Sequence, residues 1–198
     1  MSSATPDILV LFAHLAIGRS KINRALLAAI RELERVAVHD LLETYPDFYI
    51  DVAREQARLR EVDLLVIQHP LYWYGVPAVI KHWLDTVLTR GFAHGVGAEG
   101  GALRGKALLQ VVSTGAPESA YRVGGQHGLP VAELFIPLQS VARFCGMTWL
   151  PPLVLHGGHG LPDEVIAAHA RRYRETLANY VHPAPVSEPE ATAGAEEG

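Results

Sequence analysis

The sequence of 198 residues lacks several features that define whole classes of protein. Its single cysteine, Cys145, excludes an internal disulfide and is typical of a protein from a reducing compartment. The apolar neighbours of that cysteine, in VARFCGMTW, favour a buried thiol over a nucleophile. With 17 Lys and Arg against 21 Asp and Glu, the net charge of -4 gives no basic surplus for binding nucleic acid.

Long apolar runs and targeting segments are also missing from the sequence. No stretch reaches the roughly 18 apolar residues of a membrane-spanning helix. The start, MSSATPD, has no basic region followed by an apolar one, as a signal peptide would. We therefore expect a cytoplasmic protein with no direct membrane insertion. We also expect one domain over residues 1–181 and a mobile acidic tail over 182–198, where the composition is small, acidic and proline-containing.

What the sequence does contain is an alternation of short apolar segments with longer amphipathic ones. The apolar segments predict strands at 8–13, 36–41, 63–68, 107–113 and within 148–157, where Pro151 and Pro152 favour an edge position or a bend. Helical periodicity predicts helices at 20–33, 52–61, 76–89, 131–144 and 162–181, and 42–51 is expected to be a loop. This alternation is typical of an α/β fold, in which a parallel sheet is covered by helices on both faces. Ligands of such sheets bind beyond the carboxyl ends of the strands, so the loops after strands one, three and four are the candidates.

The loop after the first strand, AHLAIGRSKIN, has groups that suit a phosphate. The glycine-rich dinucleotide fingerprint is absent from it. Ser20 is placed to cap the following helix or to donate its hydroxyl, and the helix start offers N–H groups and a positive dipole end. His14, Arg19, Lys21 and Asn23 add further donors. An ordinary helix cap with solvated charges explains these residues equally well.

The loop after the third strand, HPLYWYGVP, is crowded with rings. Pro70 and Pro77 would fix the backbone, and Gly75 is expected to let it turn sharply. Trp73 and its flanking tyrosines could form the wall of a site for a flat ligand, with loop N–H groups facing the edge of that ligand. Packing of these rings into the core or into a subunit interface is the alternative.

The loop after the fourth strand, STGAPESAYRVGGQHG, combines small residues with two proton-transfer groups. Ser113, Thr114 and Gly115 leave backbone N–H groups open at the strand end. Tyr121 and His127 lie six residues apart, and a phenol beside an imidazole can donate a proton to an oxygen that is being reduced. Their spacing alone favours two unrelated loop residues.

A fourth motif, HGGHG, raises the alternative of a metal site. It offers His156 and His159 on a glycine loop, but no third ligand lies nearby in the sequence. We therefore predict no metal site.

Taken together, the loops resemble those of flavodoxin-like NAD(P)H:quinone oxidoreductases, most nearly the branch of ancillary proteins of glutathione-regulated potassium-efflux systems. The resemblance covers roughly residues 7–180. Its most specific segment is QHPLYWYGVPAVIKHWLD (68–85). The other segments are the AH…S…N loop (His14, Ser20, Asn23), YPDFYIDVAREQ (45–56) and the STG…Y…H loop (Thr114, Gly115, Tyr121, His127).

The resemblance implies a role for individual residues around a flavin. It places Tyr121 and His127 as the pair that supports charge and proton movement during hydride transfer, and Gln56 as a residue supplied by the partner subunit of a dimer. Contacts to the cofactor are expected for Tyr121 as well, for Lys21 as a donor in the first loop, and for the remaining matched positions. These are His14, Ser20 and Asn23 at the phosphate, Pro70, Leu71, Tyr72, Trp73 and Tyr74 at the ring, and Ser113, Thr114, Gly115 and Ala116 at its pyrimidine edge.

The family also implies a fold, an activity and partners. The fold would be a flavodoxin-like three-layer sandwich, with a five-stranded parallel sheet in the order 2-1-3-4-5. The activity would be ping-pong, two-electron hydride transfer from NAD(P)H through a flavin to a quinone, in a homodimer. Animal quinone reductases have a C-terminal extension that helps to bind the adenine half of FAD. This sequence has no obvious equivalent of it, which favours FMN, with FAD as the alternative. The competing function is regulation of a membrane potassium antiporter, which would bring the protein to the inner membrane through a protein partner. A one-electron flavodoxin is less favoured, because those carriers are strongly acidic.

Overall fold

The computed structural model describes residues 7–95, 101–158 and 160–182, and within them strands and helices alternate as the sequence predicts. The strands are β1 Ile8–Phe12, β2 Val36–Asp40, β3 Leu64–Pro70, β4 Ala107–Ser113, β5 Thr148–Trp149 and β6 Leu153–Leu155. The helices are α1 Lys21–Ile30, α2 Leu41–Thr44, α3 Val52–Glu61, α4 Ala78–Val87, α5 Ile136–Phe144 and α6 Asp163–Ala178.

The strands form one parallel sheet in the order β2-β1-β3-β4-β5, which confirms the predicted order. β6 pairs with β4 beyond the end of β5, so these two short strands share the fifth position. The register sets Phe12 opposite Gln68, and Pro70 opposite Ser113. The carboxyl ends of β1, β3 and β4 therefore lie side by side.

Helices cover both faces of the sheet because each strand presents apolar side chains alternately to the two sides. Ile8 and Val10 pack with α1 and α6, whereas Leu9 and Leu11 pack with α2 to α5. Cys145 is buried in the second of these cores, which confirms the predicted buried thiol, and burial raises the pKa of that thiol.

One prediction of secondary structure was wrong. The expected loop at 42–51 begins with the last three residues of α2, because the Asp40 carboxylate accepts hydrogen bonds from the N–H groups of Leu42 and Glu43 and so starts a helical turn. The fifth strand lies at the edge of the sheet, as its prolines suggest, and it is divided between Trp149 and Leu153, where Pro151 and Pro152 interrupt the hydrogen-bonding ladder.

Two further boundaries differ from expectation. The first part of the helix predicted at 131–144 is a 3-10 helix, Val131–Phe135, and Pro137 lies in the first turn of the α-helix that follows. The third strand continues past Gln68 to Pro70, which is paired with Ser113. Within the described ranges, no helix combines the length and apolar character needed to cross a membrane. The predicted tail lies outside them, apart from its first residue.

Glu55 is a charged residue in the core between α3 and α4. Its carboxylate accepts hydrogen bonds from Tyr45 Oη at 2.8 Å and Trp83 Nε1 at 2.9 Å, and His39 Nε2 lies 3.0 Å away. Burial by itself would raise the pKa of Glu55, but the hydrogen bonds and the nearby imidazole together hold it below its usual value. The carboxylate thus ties β2, α2 and α4 to α3.

Candidate functional site

The loops after β1, β3 and β4 enclose a cleft of about 540 Å³ at the carboxyl edge of the sheet. Most of the residues predicted from the sequence to bind a cofactor lie in its wall. The wall comprises His14, Ala16, Arg19, Ser20, Lys21 and Ile22 from the first loop, Pro70, Leu71 and Tyr72 from the second, and Ser113, Thr114 and Gly115 from the third, with Gly158 beside them.

The first loop presents the start of α1 to this cleft. Ser20 caps the helix, and its Oγ accepts a hydrogen bond from the Asn23 N–H at 3.1 Å. The first-turn N–H groups have no acceptor within the helix, and the positive end of the helix dipole lies among them. Arg19 and Lys21 add two cations, of which Lys21 is 3.6 Å from Asp163. This end of the cleft suits an anion such as a phosphate.

Asn23 lies beneath the cleft and links the start of α1 to β3 and β4. Its side chain is buried, and Nδ2 donates to Ser113 Oγ at 2.9 Å and to Ser20 Oγ at 3.2 Å. Its Oδ1 accepts a hydrogen bond from Gln68 Nε2 at 3.3 Å. Asn23 is not in the wall of the cleft, and its side chain positions Ser20 and Ser113. Its contact with the cofactor phosphate stays a prediction.

The aromatic loop is a tight turn from Tyr72 to Gly75, closed by two backbone hydrogen bonds of 3.1 and 3.0 Å between these residues. The two central residues, Trp73 and Tyr74, have positive φ angles of 47° and 66°. Gly75, which was expected to let the chain turn sharply, therefore closes the turn but does not have a positive φ angle itself. Non-glycine residues in this region cost about 1–2 kcal/mol each, and such strain is concentrated at functional sites.

The turn directs its residues to different places. Leu71 N–H donates to Ser113 O at 2.8 Å, which fixes the second loop against the third. Tyr72 lines the cleft with its ring edge-on to His14, and burial raises the pKa of its hydroxyl. Trp73 is not in the wall of the cleft, and 95% of its surface is exposed. Tyr74 lines a second cavity, behind the turn.

Tyr121 and His127 meet in the third loop. Their rings stack with centroids 4.4 Å apart and planes inclined by 23°. Burial raises the pKa of the Tyr121 hydroxyl, and a hydrogen bond with Thr114 partly offsets this effect. Tyr74 Oη lies 3.3 Å from His127 Nδ1, whereas His127 Nε2 is buried and has no partner among the described residues. The part of this pair in catalysis stays a prediction.

His156 is a member of this cluster that the sequence offered only as a metal ligand. Its Nδ1 lies 3.0 Å from Thr114 Oγ1, its ring is 5.5 Å from Tyr121, and burial lowers its pKa. Nothing local in the sequence reveals this contact, which depends on the pairing of β6 with β4. His159 lies outside the described residues, and the ranges that are described hold no group of three side chains able to bind a metal.

Gly158 also joins the site without having been predicted. Its N–H donates to Thr114 O at 2.8 Å, and a Cβ at this position would lie 3.1 Å from the same oxygen. The consecutive glycines Gly157 and Gly158 of HGGHG were the available signal for such a close approach of backbones.

Gln56 and Ala116, two residues predicted to contact the cofactor, are not in the wall of the cleft. Gln56 Nε2 donates to Val87 O at 2.9 Å and to Thr89 Oγ1 at 3.0 Å, at the end of α4. Ala116 uses its carbonyl oxygen to accept from Thr114 Oγ1 and from the Gly157 N–H. A flavin contact for either residue stays a prediction.

Comparisons with known proteins agree with this geometry. Residues 6–177 match a family model described as having a flavodoxin-like fold. The glutathione-regulated potassium-efflux system ancillary protein KefG of Yersinia enterocolitica is 46% identical over 177 residues, which are 89% of this chain and 95% of KefG. General stress protein 14 of Treponema denticola, solved in complex with FMN, superposes with a TM-score of 0.81 at 37% identity, over 87% of this chain and 98% of that one. An NADPH-quinone reductase from P. pentosaceus superposes with a TM-score of 0.80 at 32% identity, over 88% and 99% of the two chains.

These matches confirm the resemblance that the loops suggest. The chain belongs to the flavodoxin-like fold family, in which its close relatives include KefG ancillary proteins and its structural neighbours include NAD(P)H quinone reductases.

Proposed function

We propose that the protein is a flavin-dependent NAD(P)H:quinone oxidoreductase that uses FMN. The observation that carries this proposal is the cleft at the carboxyl edge of the sheet. There a helix N-terminus with two cations faces a fixed ring-bearing turn and a loop of small residues. A flavin cofactor has an anionic phosphate at one end and a flat ring at the other, so the two ends of the cleft match its two parts.

The residues of the cleft fit FMN in detail. Ser20 and the first turn of α1 would hold the phosphate, with Arg19 and Lys21 as counter-charges. Leu71 and Tyr72 would lie against the ring. Ser113, Thr114 and Gly115 would approach its polar edge. The FMN-bound relative from Treponema denticola supports the choice of FMN over FAD.

When bound, FMN would supply hydride transfer between NAD(P)H and a quinone. The chain supplies groups for the quinone oxygen that becomes a hydroxyl. The Tyr121 phenol, whose pKa burial raises further, is protonated at neutral pH and can therefore donate a hydrogen bond to this oxygen. His127 can relay the proton, since Tyr74 holds one of its ring nitrogens and leaves Nε2 unpaired. Neither residue acts as a nucleophile.

Steady-state kinetics test this proposal. Initial rates of NAD(P)H oxidation by the FMN-loaded protein are measured with both substrates varied and with a soluble benzoquinone or naphthoquinone as acceptor. We expect parallel lines in double-reciprocal plots, because both substrates would use the same site in turn. Absence of quinone-dependent oxidation with both NADH and NADPH would overturn the proposal.

A second function is supported by the similarity to KefG, whose name describes an ancillary protein of a glutathione-regulated potassium-efflux system. The chain would then also bind the cytoplasmic part of a membrane potassium antiporter, as a homodimer. The two functions are compatible. Potassium efflux from vesicles that contain the antiporter, measured with and without the protein, tests the second function. An unchanged efflux rate would contradict it.

A further inference from the structure

A second cavity lies behind the aromatic turn, on the face of the sheet covered by α4 and α5. Its volume is about 290 Å³. Leu71 is the one residue that it shares with the lining of the cofactor cleft. The rest of its wall comes from Tyr74–Val76, from α4, from β4 and from residues 134–141. A molecule in this cavity would therefore be separate from one in the cleft.

Most of the wall is apolar, with one buried polar side chain in it. Leu84, Leu134, Leu138 and Val141 provide aliphatic surface from two sides. Gln110, on β4, is 2% exposed. Such a wall selects a largely apolar ligand and leaves one amide to orient it.

The hydrogen bonds of His69 fix the orientation of this amide. His69 Nδ1 lies 2.9 Å from Pro70 O, and a carbonyl can only accept, so Nδ1 carries the proton. Burial keeps the imidazole neutral at ordinary pH, because it lowers the pKa of His69 to about 4. Nε2 is then an acceptor, and the Gln110 group 2.9 Å away must be its N–H₂ donor.

The amide oxygen of Gln110 is consequently left over. Oε1 is buried and has no hydrogen-bond partner among the described residues. A buried acceptor without a partner costs about 1–3 kcal/mol. A ligand that brings a hydroxyl or N–H group into the cavity would recover part of that cost.

Charge at the cavity gives little reason to expect an ionic ligand. Lys81 is the one charged residue in the lining, and Asp85 lies 2.5 Å from its Nζ on the exposed side of α4. The charge of the Lys81 ammonium is thus balanced by the Asp85 carboxylate at the exposed surface. A neutral ligand with one donor remains the best match.

We propose that this cavity binds a small neutral aromatic alcohol of the phenol class, with its hydroxyl donating to Gln110 Oε1. The ring would lie between the turn and α5, beside Tyr74. A quinone would be a poorer match, since its oxygens only accept. This proposal does not depend on the proposed reductase activity.

The test compares two probes that differ in one donor, 2-naphthol and 2-methoxynaphthalene. Binding is measured by calorimetry with excess FMN present, so that the cofactor cleft is not available to the probes, and again without FMN. We expect 2-naphthol to bind in both conditions, and about tenfold more tightly than the ether, which corresponds to one hydrogen bond. Equal binding of both probes, or no binding of 2-naphthol, would overturn the proposal.

Variants in α5 and β4 test whether the probe binds in this cavity. Val141→Trp should fill the space and abolish binding, whereas Gln139→Trp, an exposed neighbour on the same helix, should leave it unchanged. Gln110→Leu should remove the preference for 2-naphthol. Gln110→Leu removes the hydrogen-bond donor of His69. If that variant unfolds, the comparison of Val141→Trp with Gln139→Trp still tests the site. Unaltered 2-naphthol binding by Val141→Trp would contradict the site. Failure of FMN binding alone would count against the reductase and not against this cavity.

Discussion

At the scale of single residues, the cleft depends on buried polar groups that hold other groups in place. Asn23 and Ser113 are 90 residues apart in sequence and bonded at 2.9 Å, which fixes two of the three loops to each other. On the opposite face of the sheet, the buried carboxylate of Glu55 links α3 to α4 and β2. Partners across such distances cannot be read from local sequence patterns, so the sequence did not reveal that Asn23 positions Ser113.

Replacement of Glu55 by Gln should lower the free energy of unfolding by roughly 3 kcal/mol at pH 7, because buried donors lose an ionised acceptor. The folded pKa of Glu55 is lowered, so its stabilisation is complete above the unfolded value of about 4.5 and is lost as pH falls through the folded pKa. The difference between the variant and the wild type should therefore shrink below about pH 4.5. Urea unfolding across this pH range measures it, and a difference that grows on acidification would contradict the assignment.

At the scale of elements, the aromatic turn shows where sequence reasoning succeeded and where it failed. The rings and prolines correctly predicted a turn at the end of β3. A glycine in that turn was the natural choice for a positive φ angle. The structure instead gives the positive φ angles to Trp73 and Tyr74. The turn is closed between Tyr72 and Gly75, so Trp73 and Tyr74 are its two central residues. Turn register depends on the hydrogen bond between Leu71 and β4, which is a tertiary contact.

The strain in this turn can be measured with Trp73→Gly and Tyr49→Gly. Both aromatic side chains are highly exposed, but Tyr49 has no positive φ angle. Glycine costs roughly 0.5–1 kcal/mol in ordinary backbone, whereas at Trp73 it also relieves about 1–2 kcal/mol. Trp73→Gly should thus be more stable than Tyr49→Gly by about 1 kcal/mol in chemical denaturation. Equal or greater loss of stability at Trp73 would show that its backbone is not strained.

The start of α1 has a matched control in the start of α3. Ser20 and Asp51 both cap their helices through a hydrogen bond to the third residue beyond the cap, at 3.1 Å in each case. Ser20→Ala and Asp51→Ala should each lower stability by about 1 kcal/mol. Only Ser20→Ala should weaken FMN binding, measured by quenching of flavin fluorescence. Equal FMN affinity in the two variants would remove Ser20 from the phosphate site.

At the scale of the whole molecule, the sequence predicted most of the architecture. The apolar segments and their alternation with helices specify a parallel sheet, and the loops beyond its carboxyl edge line the cleft as expected. The prolines of the fifth strand indicated its edge position or a bend, but the approach of His156 to Thr114 was not predicted, because it depends on the pairing of β6 with β4. Assembly of two chains is a further prediction at this scale.

If Gln56 serves the site of the partner subunit, two inactive variants should complement each other. Gln56→Leu and Tyr121→Phe are expected to reduce quinone reductase activity when assayed separately. In a mixed dimer, one site would combine an intact Tyr121 with an intact Gln56 from the other chain. We therefore expect activity to rise after the two proteins exchange subunits. Activity that stays at the mean of the two variants would place Gln56 outside the partner's site.

The claim on which the rest depends is that the cleft between the three loops holds one FMN. Equilibrium titration of the flavin-free protein with FMN tests it most directly. We expect saturation at one FMN per chain, with affinity reduced by Ser20→Ala and unchanged by Val141→Trp in the second cavity. Absence of saturable FMN binding, or binding that is insensitive to Ser20 and lost in Val141→Trp, would contradict the account.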